Sequence, residues 1–186
     1  MIDGPRANIE LKARLADPEG AAATARALGA REMGADRQVD VYFRVPRGRL
    51  KLRRSMFVGE QLIAYLRADE PGPRRADYEV IPAPRGGRTA EILETMLGIE
   101  ATVAKVRRLF LLGDTRIHLD EVDGLGSFLE FEAVYPHGNE EAERAARLDV
   151  ERLRRTFGVR DEDLVPRSYR ELVLESSRPP SPAPRR

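Results

Sequence analysis

The fold is decided by residues 114 to 135, Asp-Thr-Arg-Ile-His-Leu-Asp-Glu-Val-Asp-Gly-Leu-Gly-Ser-Phe-Leu-Glu-Phe-Glu-Ala-Val-Tyr. Polar and apolar side chains alternate on both sides of a turn at Gly124 and Gly126. Because successive side chains of a strand point to opposite faces, this pattern predicts a β-hairpin with one apolar and one charged face. The charged face carries Arg116, His118, Asp120, Glu130 and Glu132.

The same alternation recurs along the chain. Residues 7–15 place Asn8, Glu10, Lys12 and Arg14 on one face of a predicted strand and apolar residues on the other. Further strands are predicted over residues 37–45, 49–54, 61–68, 77–81 and 103–112. Helices are predicted over residues 18–28, 89–97, 140–157 and 169–174. About eight antiparallel strands with a few helices give an α+β fold and suggest a barrel or a strongly curved sheet.

The composition limits the function classes. The 186 residues suit one domain, with 34% charged and 41% hydrophobic residues. The 32 basic and 31 acidic residues nearly cancel, whereas a diffuse nucleic-acid or membrane binder usually has a large excess of one sign. No apolar run approaches the ~18 residues of a membrane span, and the N-terminus lacks a signal-peptide pattern. We therefore expect a cytoplasmic protein with no membrane partner and no specific nucleic-acid partner.

Metal sites are limited to carboxylate chemistry. The sequence has no cysteine and two histidines, which excludes a thiolate nucleophile, a cysteine zinc site and a multi-histidine site. Carboxylate oxygens favour hard ions, so the expected cofactor is Mg²⁺ or Mn²⁺.

The charged strand faces leave two architectures open. The basic residues on these faces are Lys12, Arg14, Lys51, Arg53, Arg67, Lys105, Arg107 and Arg116, and the acidic ones are Glu10, Asp120, Glu130 and Glu132. In an open sheet this face would lie in water. In a closed sheet the charged face would line a water-filled interior. Burying so many unpaired ions would cost too much free energy unless a polyanion and metal ions bind there.

Several motifs resemble those of one known family. Residues 8–14, Asn-Ile-Glu-Leu-Lys-Ala-Arg, resemble the N-terminal Glu-x-Glu-x-Lys signature of the CYTH family, which includes class IV adenylate cyclases and thiamine triphosphatases. Further matches follow in family order at residues 51–53, 65–67, 105–108, 116–120, 124–132 and 168–172. The resemblance covers about residues 7–174 and is strongest to the bacterial class IV adenylate cyclase branch.

The resemblance implies an eight-stranded antiparallel triphosphate tunnel flanked by a few helices. It suggests a homodimer and a domain over residues 1–175. Residues 176–186 are rich in proline and arginine and cannot bury a core, so we expect a disordered tail there. Glu10, Asp120, Glu130 and Glu132 would hold the metal. Phosphate oxygens would be bound by Lys12, Arg14, Lys51, Arg53, Lys105, Arg107, Arg116 and Arg67. The catalytic group would comprise Glu10, Lys12, Arg116, Glu130 and Glu132.

The implied activity is metal-dependent chemistry on ATP, tripolyphosphate or thiamine triphosphate. An adenylate-cyclase-like reaction, ATP to cyclic AMP and pyrophosphate, is the first expectation, and a triphosphatase is the alternative. A non-catalytic binder of nucleotides or polyphosphate is the third, because Asn8 replaces the first glutamate of the signature and brings no negative charge. Asp120 could instead pair with Arg116, and His118 is expected to be a hydrogen-bonding spacer.

Overall fold

Eight antiparallel strands close into a barrel in the computed structural model, which describes residues 6–67, 72–84 and 86–177. The strands are β1 (Arg6–Arg14), β2 (Arg31–Phe43), β3 (Arg49–Ser55), β4 (Gly59–Arg67), β5 (Arg74–Ala83), β6 (Ile99–Leu112), β7 (Thr115–Val122) and β8 (Gly126–Pro136). Their order around the barrel is β1-β5-β4-β3-β2-β6-β7-β8, and β8 pairs with β1 to close it. The eight-stranded closed barrel that the family resemblance implies is confirmed.

Four helices surround the barrel: α1 (Pro18–Ala27), α2 (Thr89–Leu97), α3 (Glu140–Thr156) and α4 (Tyr169–Ser176). Side chains of Asp17, Asn139 and Ser168 accept hydrogen bonds from backbone N–H groups in the first turns of α1, α3 and α4. Within the described ranges, no helix combines the length and the apolar character needed to cross a membrane.

The apolar face of the sheet points outward and forms the core with the helices. Ile9, Leu11 and Phe131 are fully buried beneath α1 and α3, whose buried residues include Ala22 and Leu153. On the opposite side, Val41, Phe43 and Leu52 pack against Leu93 and Leu97 of α2. These two clusters lie outside the barrel wall. A third apolar cluster lies on the inner face, where Val103, Val122 and Phe128 pack against Val165 and Tyr169 of the C-terminal segment. The rest of the inner face is left mainly for charged residues.

The predicted hairpin at residues 114–135 corresponds to β7 and β8. Gly124 and Gly126 in its turn have φ angles of 72° and 86°, a backbone conformation that glycine adopts without steric cost. Glu130 lies opposite His118, and Glu132 lies opposite Arg116. Because cross-strand partners share a face, this register puts the charged side chains of both strands inside the barrel.

Some predicted boundaries were wrong. Strand β5 begins at Arg74 rather than residue 77, β2 begins at Arg31 rather than residue 37, and β6 begins at Ile99 rather than residue 103. Barrel strands are longer than their alternating segments because pairing with both neighbours continues past the apolar pattern. Helix α4 runs to Ser176, the first residue of the predicted tail, and residues 178–186 lie outside the described ranges.

Helix α3 provides a test of the outer core. Leu153 is 1% exposed against the barrel, whereas Leu148 on the same helix is 71% exposed. We expect Leu153→Ala to lower the free energy of unfolding by roughly 2–5 kcal/mol, because it leaves a cavity. Leu148→Ala should change it by less than about 0.5 kcal/mol. Urea unfolding followed by circular dichroism measures both, and equal effects would contradict this packing.

Candidate active site

The strand register defines the inner face of the barrel. Glu10 of β1 lies opposite Arg74 of β5 and Glu132 of β8, so the three side chains share that face. Applied around the barrel to the described side chains, this rule gives the inward basic residues Lys12, Arg14, Arg49, Lys51, Arg53, Arg67, Arg74, Lys105, Arg107 and Arg116. The inward acidic residues of the described ranges are Glu10, Asp36, Asp40, Asp120, Glu130 and Glu132.

Asp120 bridges two cations at the centre of the charged interior. Arg107 donates to both of its carboxylate oxygens at 2.6 Å, and Lys105 Nζ donates to Oδ2 at 3.0 Å. The Tyr169 hydroxyl donates to the same Oδ2 at 3.0 Å. Burial opposes ionisation, but Arg107 and Lys105 outweigh it and lower the Asp120 pKa. One sequence-based alternative was a pair between Asp120 and Arg116. The structure shows that Asp120 pairs with Arg107 instead.

Asp40 forms a second bridge that the sequence analysis missed. Arg53 donates from Nε to Oδ1 at 2.7 Å and from Nη2 to Oδ2 at 2.8 Å, and Lys51 Nζ donates to Oδ2 at 2.9 Å. Burial and the neighbouring Arg53 lower the Lys51 pKa to about 7. Asp40 lies between Val39 and Val41 in the predicted strand over residues 37–45. The alternation of polar and apolar residues, as used for the other strands, would have placed Asp40 on the charged face.

Glu10 forms a third bridge. Its Oε1 accepts hydrogen bonds from Arg67 Nη1 at 2.8 Å and from Arg74 Nε at 3.1 Å. Arg74 was also missed, because Gly72 and Pro73 signalled a loop and the strand was placed too far along the chain. Glu10 of β1 is thus held by two guanidinium groups, one from Arg67 of β4 and one from Arg74 of β5.

Glu130 and Glu132 meet His118 in a fourth cluster. Lys12 Nζ lies 3.1 Å from Glu130 Oε1, and Arg107 Nη2 donates to Oε2 at 2.5 Å. Burial opposes ionisation of Glu130, but Lys12 and Arg107 keep its pKa well below the ordinary range. Burial and the charge of Arg107 lower the pKa of His118, which favours a neutral imidazole.

This cluster has the donor set that a divalent ion needs. One ligand atom each from His118, Glu130 and Glu132 lie within 4.8 Å of one another. His118 Nδ1 is buried and has no hydrogen-bond partner among the described residues. Two carboxylates and an unpaired imidazole nitrogen suit Mn²⁺, and the carboxylates alone suit Mg²⁺. The residues present therefore fit a divalent metal ion.

The C-terminal segment closes one end of the barrel interior. Val165 N donates to the carbonyl of Lys12 at 2.9 Å, and Lys12 Nζ lies 3.6 Å from the centre of the Tyr169 ring. Arg49 donates to Glu171 of α4 at 2.9 Å. A missed residue, Tyr169, thus contacts both a cation and a carboxylate of the interior, although the match at residues 168–172 had marked its position.

Arg14 and Arg116 are the most solvent-accessible of the predicted binding residues. Arg14 is exposed, donates to the carbonyl of Leu125 at 2.5 Å and lies over the Phe128 ring. The Arg116 side chain is 36% exposed and lies 3.6 Å from Glu132. Arg14 lies opposite Phe128, so it shares the inner face with the other predicted site residues, at the exposed end of that face near Leu125.

Asn8, the departure from the signature, is buried in β1. Its side-chain oxygen has no hydrogen-bond partner within the described ranges. An amide oxygen can ligate a metal but adds no charge. The charge available to a metal on this side of the interior therefore comes from Glu10, which already holds two arginines.

The family model of the CYTH domain matches residues 6–169 of this sequence. The chain belongs to the CYTH family. This family acts on triphosphates, and its triphosphate-tunnel enzymes depend on metal ions. No curated protein matches the sequence.

Solved structures share the fold of this CYTH protein. PH1012 from Pyrococcus horikoshii OT3 is 24% identical, with a TM-score of 0.75 over 89% of this chain and 98% of its own. A candidate adenylate cyclase from Vibrio parahaemolyticus is 21% identical, with a TM-score of 0.71 over 90% and 97%. HpAC1 from Hippeastrum, a candidate adenylyl cyclase with a dominant triphosphatase activity, is 15% identical, with a TM-score of 0.55 over 93% and 98%.

The Asp40 bridge predicts a large loss of stability on truncation. Asp40 is 1% exposed, and Asp40→Ala would leave Lys51 and Arg53 without their carboxylate partner. We expect the free energy of unfolding to fall by roughly 3–5 kcal/mol, as for other buried pairs that lose one member. Asp149→Ala, at an exposed pair with Arg152, should change it by less than about 0.5 kcal/mol. Urea unfolding compares the two, and similar small effects would show that the Asp40 bridge contributes little.

Proposed function

We propose that this CYTH protein is a metal-dependent enzyme that cleaves a triphosphate, with conversion of ATP to cyclic AMP and pyrophosphate as the first candidate reaction. One observation carries the proposal. The closed barrel buries more cations than carboxylates on its inner face, and a polyanion is the ligand that such an excess favours. The similarity of residues 116–132 to the class IV cyclase branch supports the first reaction.

The basic residues would bind and orient the phosphate groups. Arg53 and Arg107 are each held in a bidentate pair, which fixes their planar groups before a ligand arrives. Their remaining N–H groups, with the ammonium groups of Lys12, Lys51 and Lys105, would contact phosphate oxygens. Because these groups are already oriented, little conformational entropy is lost when a triphosphate binds. Arg67, Arg74 and Arg116 would complete the positive surface.

The carboxylates have two roles in this proposal. Asp40 and Asp120 orient the cations that bracket the substrate, and Glu10 does the same for Arg67 and Arg74. Glu130 and Glu132 would hold the metal ion. A bound Mg²⁺ or Mn²⁺ ion supplies charge neutralisation at the phosphate oxygens and stabilises the leaving group.

Two reactions use the same binding arrangement. In the cyclase reaction the ribose 3′-hydroxyl loses its proton and attacks the α-phosphorus, and the bond to pyrophosphate breaks. In a triphosphatase, water loses a proton and attacks the terminal phosphorus, the bond to the diphosphate leaving group breaks, and orthophosphate is formed. The triphosphatase stays the second candidate because the interior contacts described above involve groups that recognise phosphate and metal, and hydrolysis needs only these. Retained binding without turnover is the third outcome, motivated by Asn8.

Product analysis decides between these reactions. The purified protein is incubated with ATP, tripolyphosphate or thiamine triphosphate and with Mg²⁺ or Mn²⁺. We expect metal-dependent formation of cyclic AMP and pyrophosphate from ATP, which chromatography and a pyrophosphate assay detect. Orthophosphate without cyclic AMP would replace the cyclase with a triphosphatase. Tight binding of all three ligands without products, measured by calorimetry, would make the protein a non-catalytic binder.

Glu132 tests the metal assignment within this function. Glu132→Gln keeps the volume of the side chain but removes its charge, so turnover should fall by at least about a hundredfold. Glu121→Gln is the matched control, because Glu121 lies on the exposed outer face of the neighbouring strand β7. Thermal unfolding checks that both variants fold. Full activity in a folded Glu132→Gln variant would remove Glu132 from the metal site.

A further inference from the structure

We propose that His118 is a direct metal ligand, so that the divalent ion is held by one imidazole and two carboxylates, those of Glu130 and Glu132. The inference rests on the proposed function and deepens it, since it concerns the ion that the triphosphate chemistry requires. It also moves the centre of the metal site. The sequence placed the site on carboxylates of β1, β7 and β8, whereas this arrangement needs only β7 and β8.

The distances around His118 suit an ion better than hydrogen bonds. Nδ1 lies 3.7 Å from Glu130 Oε2 and 3.7 Å from Glu132 Oε1. Hydrogen bonds between such groups would be about 2.7–3.2 Å long. Two ligands that each lie about 2.1 Å from a shared ion are instead separated by roughly 3–4 Å. The three donor atoms lie within 4.8 Å of one another, so an ion between them would draw the side chains closer together.

The burial of His118 needs an explanation that packing does not give. The side chain is 3% exposed, and Nδ1 has no hydrogen-bond partner among the described residues. Leaving a polar atom buried and unpaired costs roughly 1–3 kcal/mol, so such atoms usually have a partner. A metal ion at this point provides one. We expected His118 to be a hydrogen-bonding spacer, but the described residues provide no hydrogen-bond partner for its Nδ1.

The other inward carboxylates are already engaged. Glu10 holds Arg67 and Arg74, and Asp120 holds Lys105 and Arg107. Glu130 also contacts Lys12 and Arg107. If an ion bound Glu130, the Tyr169 ring would still hold Lys12, and the bidentate pair with Asp120 would still hold Arg107. Asn8 contributes no charge on the β1 side. The β7–β8 cluster is therefore the part of the interior where a divalent ion would meet two carboxylates, Glu130 and Glu132, and the Nδ1 atom of His118.

A nitrogen ligand has a consequence for metal choice. Imidazole binds Mn²⁺ and later first-row ions more readily than Mg²⁺, which prefers oxygen. The protein should therefore bind Mn²⁺ more tightly than Mg²⁺, and the preference should depend on His118. Replacement by Gln should weaken Mn²⁺ binding by at least about tenfold and affect Mg²⁺ binding less.

The two histidines allow a direct test by pulsed electron paramagnetic resonance of the Mn²⁺-loaded protein. His137 is 43% exposed and lies near Asp77, so His137→Gln is the matched control. We expect imidazole ¹⁴N coupling to Mn²⁺ in the wild type and in His137→Gln, and its loss in His118→Gln. Because the chain has only two histidines, the signal in His137→Gln decides the question even if His118→Gln fails to fold.

Three other results would overturn the inference, and they separate a failure of the His118 assignment from a failure of the proposed function. Tight Mn²⁺ binding without imidazole coupling in His137→Gln would leave the proposed function intact and make the site purely carboxylate. Coupling that persists in a folded His118→Gln variant would place the nitrogen ligand elsewhere. Failure of the wild type to bind Mn²⁺, measured by the free-ion signal in a titration, would remove the inference together with the metal-dependent function.

Discussion

The structure depends on charge compensation inside a closed sheet. An uncompensated ion in a protein interior costs several kcal/mol, so a barrel lined with lysine and arginine survives only if carboxylates are interleaved among them. Asp40 and Asp120 each bridge a lysine and an arginine, and Glu10 bridges two arginines. Most of the hydrophobic core lies outside the wall, beneath α1, α2 and α3, and a smaller apolar cluster around Phe128 and Tyr169 lies inside it. Fold and function thus use opposite faces of the same strands.

The carboxylates do not neutralise all of the positive charge on the inner face. The carboxylates orient the cations, yet the inner face keeps a positive excess that attracts a polyanion. Tyr169 of α4 joins the network through Asp120 and through its ring face over Lys12, so the C-terminal segment is part of the interior rather than a cover added to it. Arg116, near the start of β7, is 36% exposed and can meet a ligand before the more deeply buried cations.

Side-chain alternation predicted much of this arrangement. The parity of residues 7–15 and 114–135 placed Glu10, Lys12, Glu130 and Glu132 on one face, and strand pairing confirms it. It could not predict which cation meets which carboxylate, because Asp40 meets Lys51 and Arg53 only through the register of β2 on β3. Arg74 was missed because a turn signal hid the start of its strand.

Closure of the barrel also has a consequence for how the chain folds. The seam joins the first strand to the last, with Glu10 opposite Glu132, so the ring cannot be completed until nearly the whole domain has left the ribosome. Until then β1 presents an unpaired edge. Inward-pointing charges on such an edge discourage pairing with foreign strands. The residues that we assign to ligand binding would therefore also protect the nascent chain from aggregation.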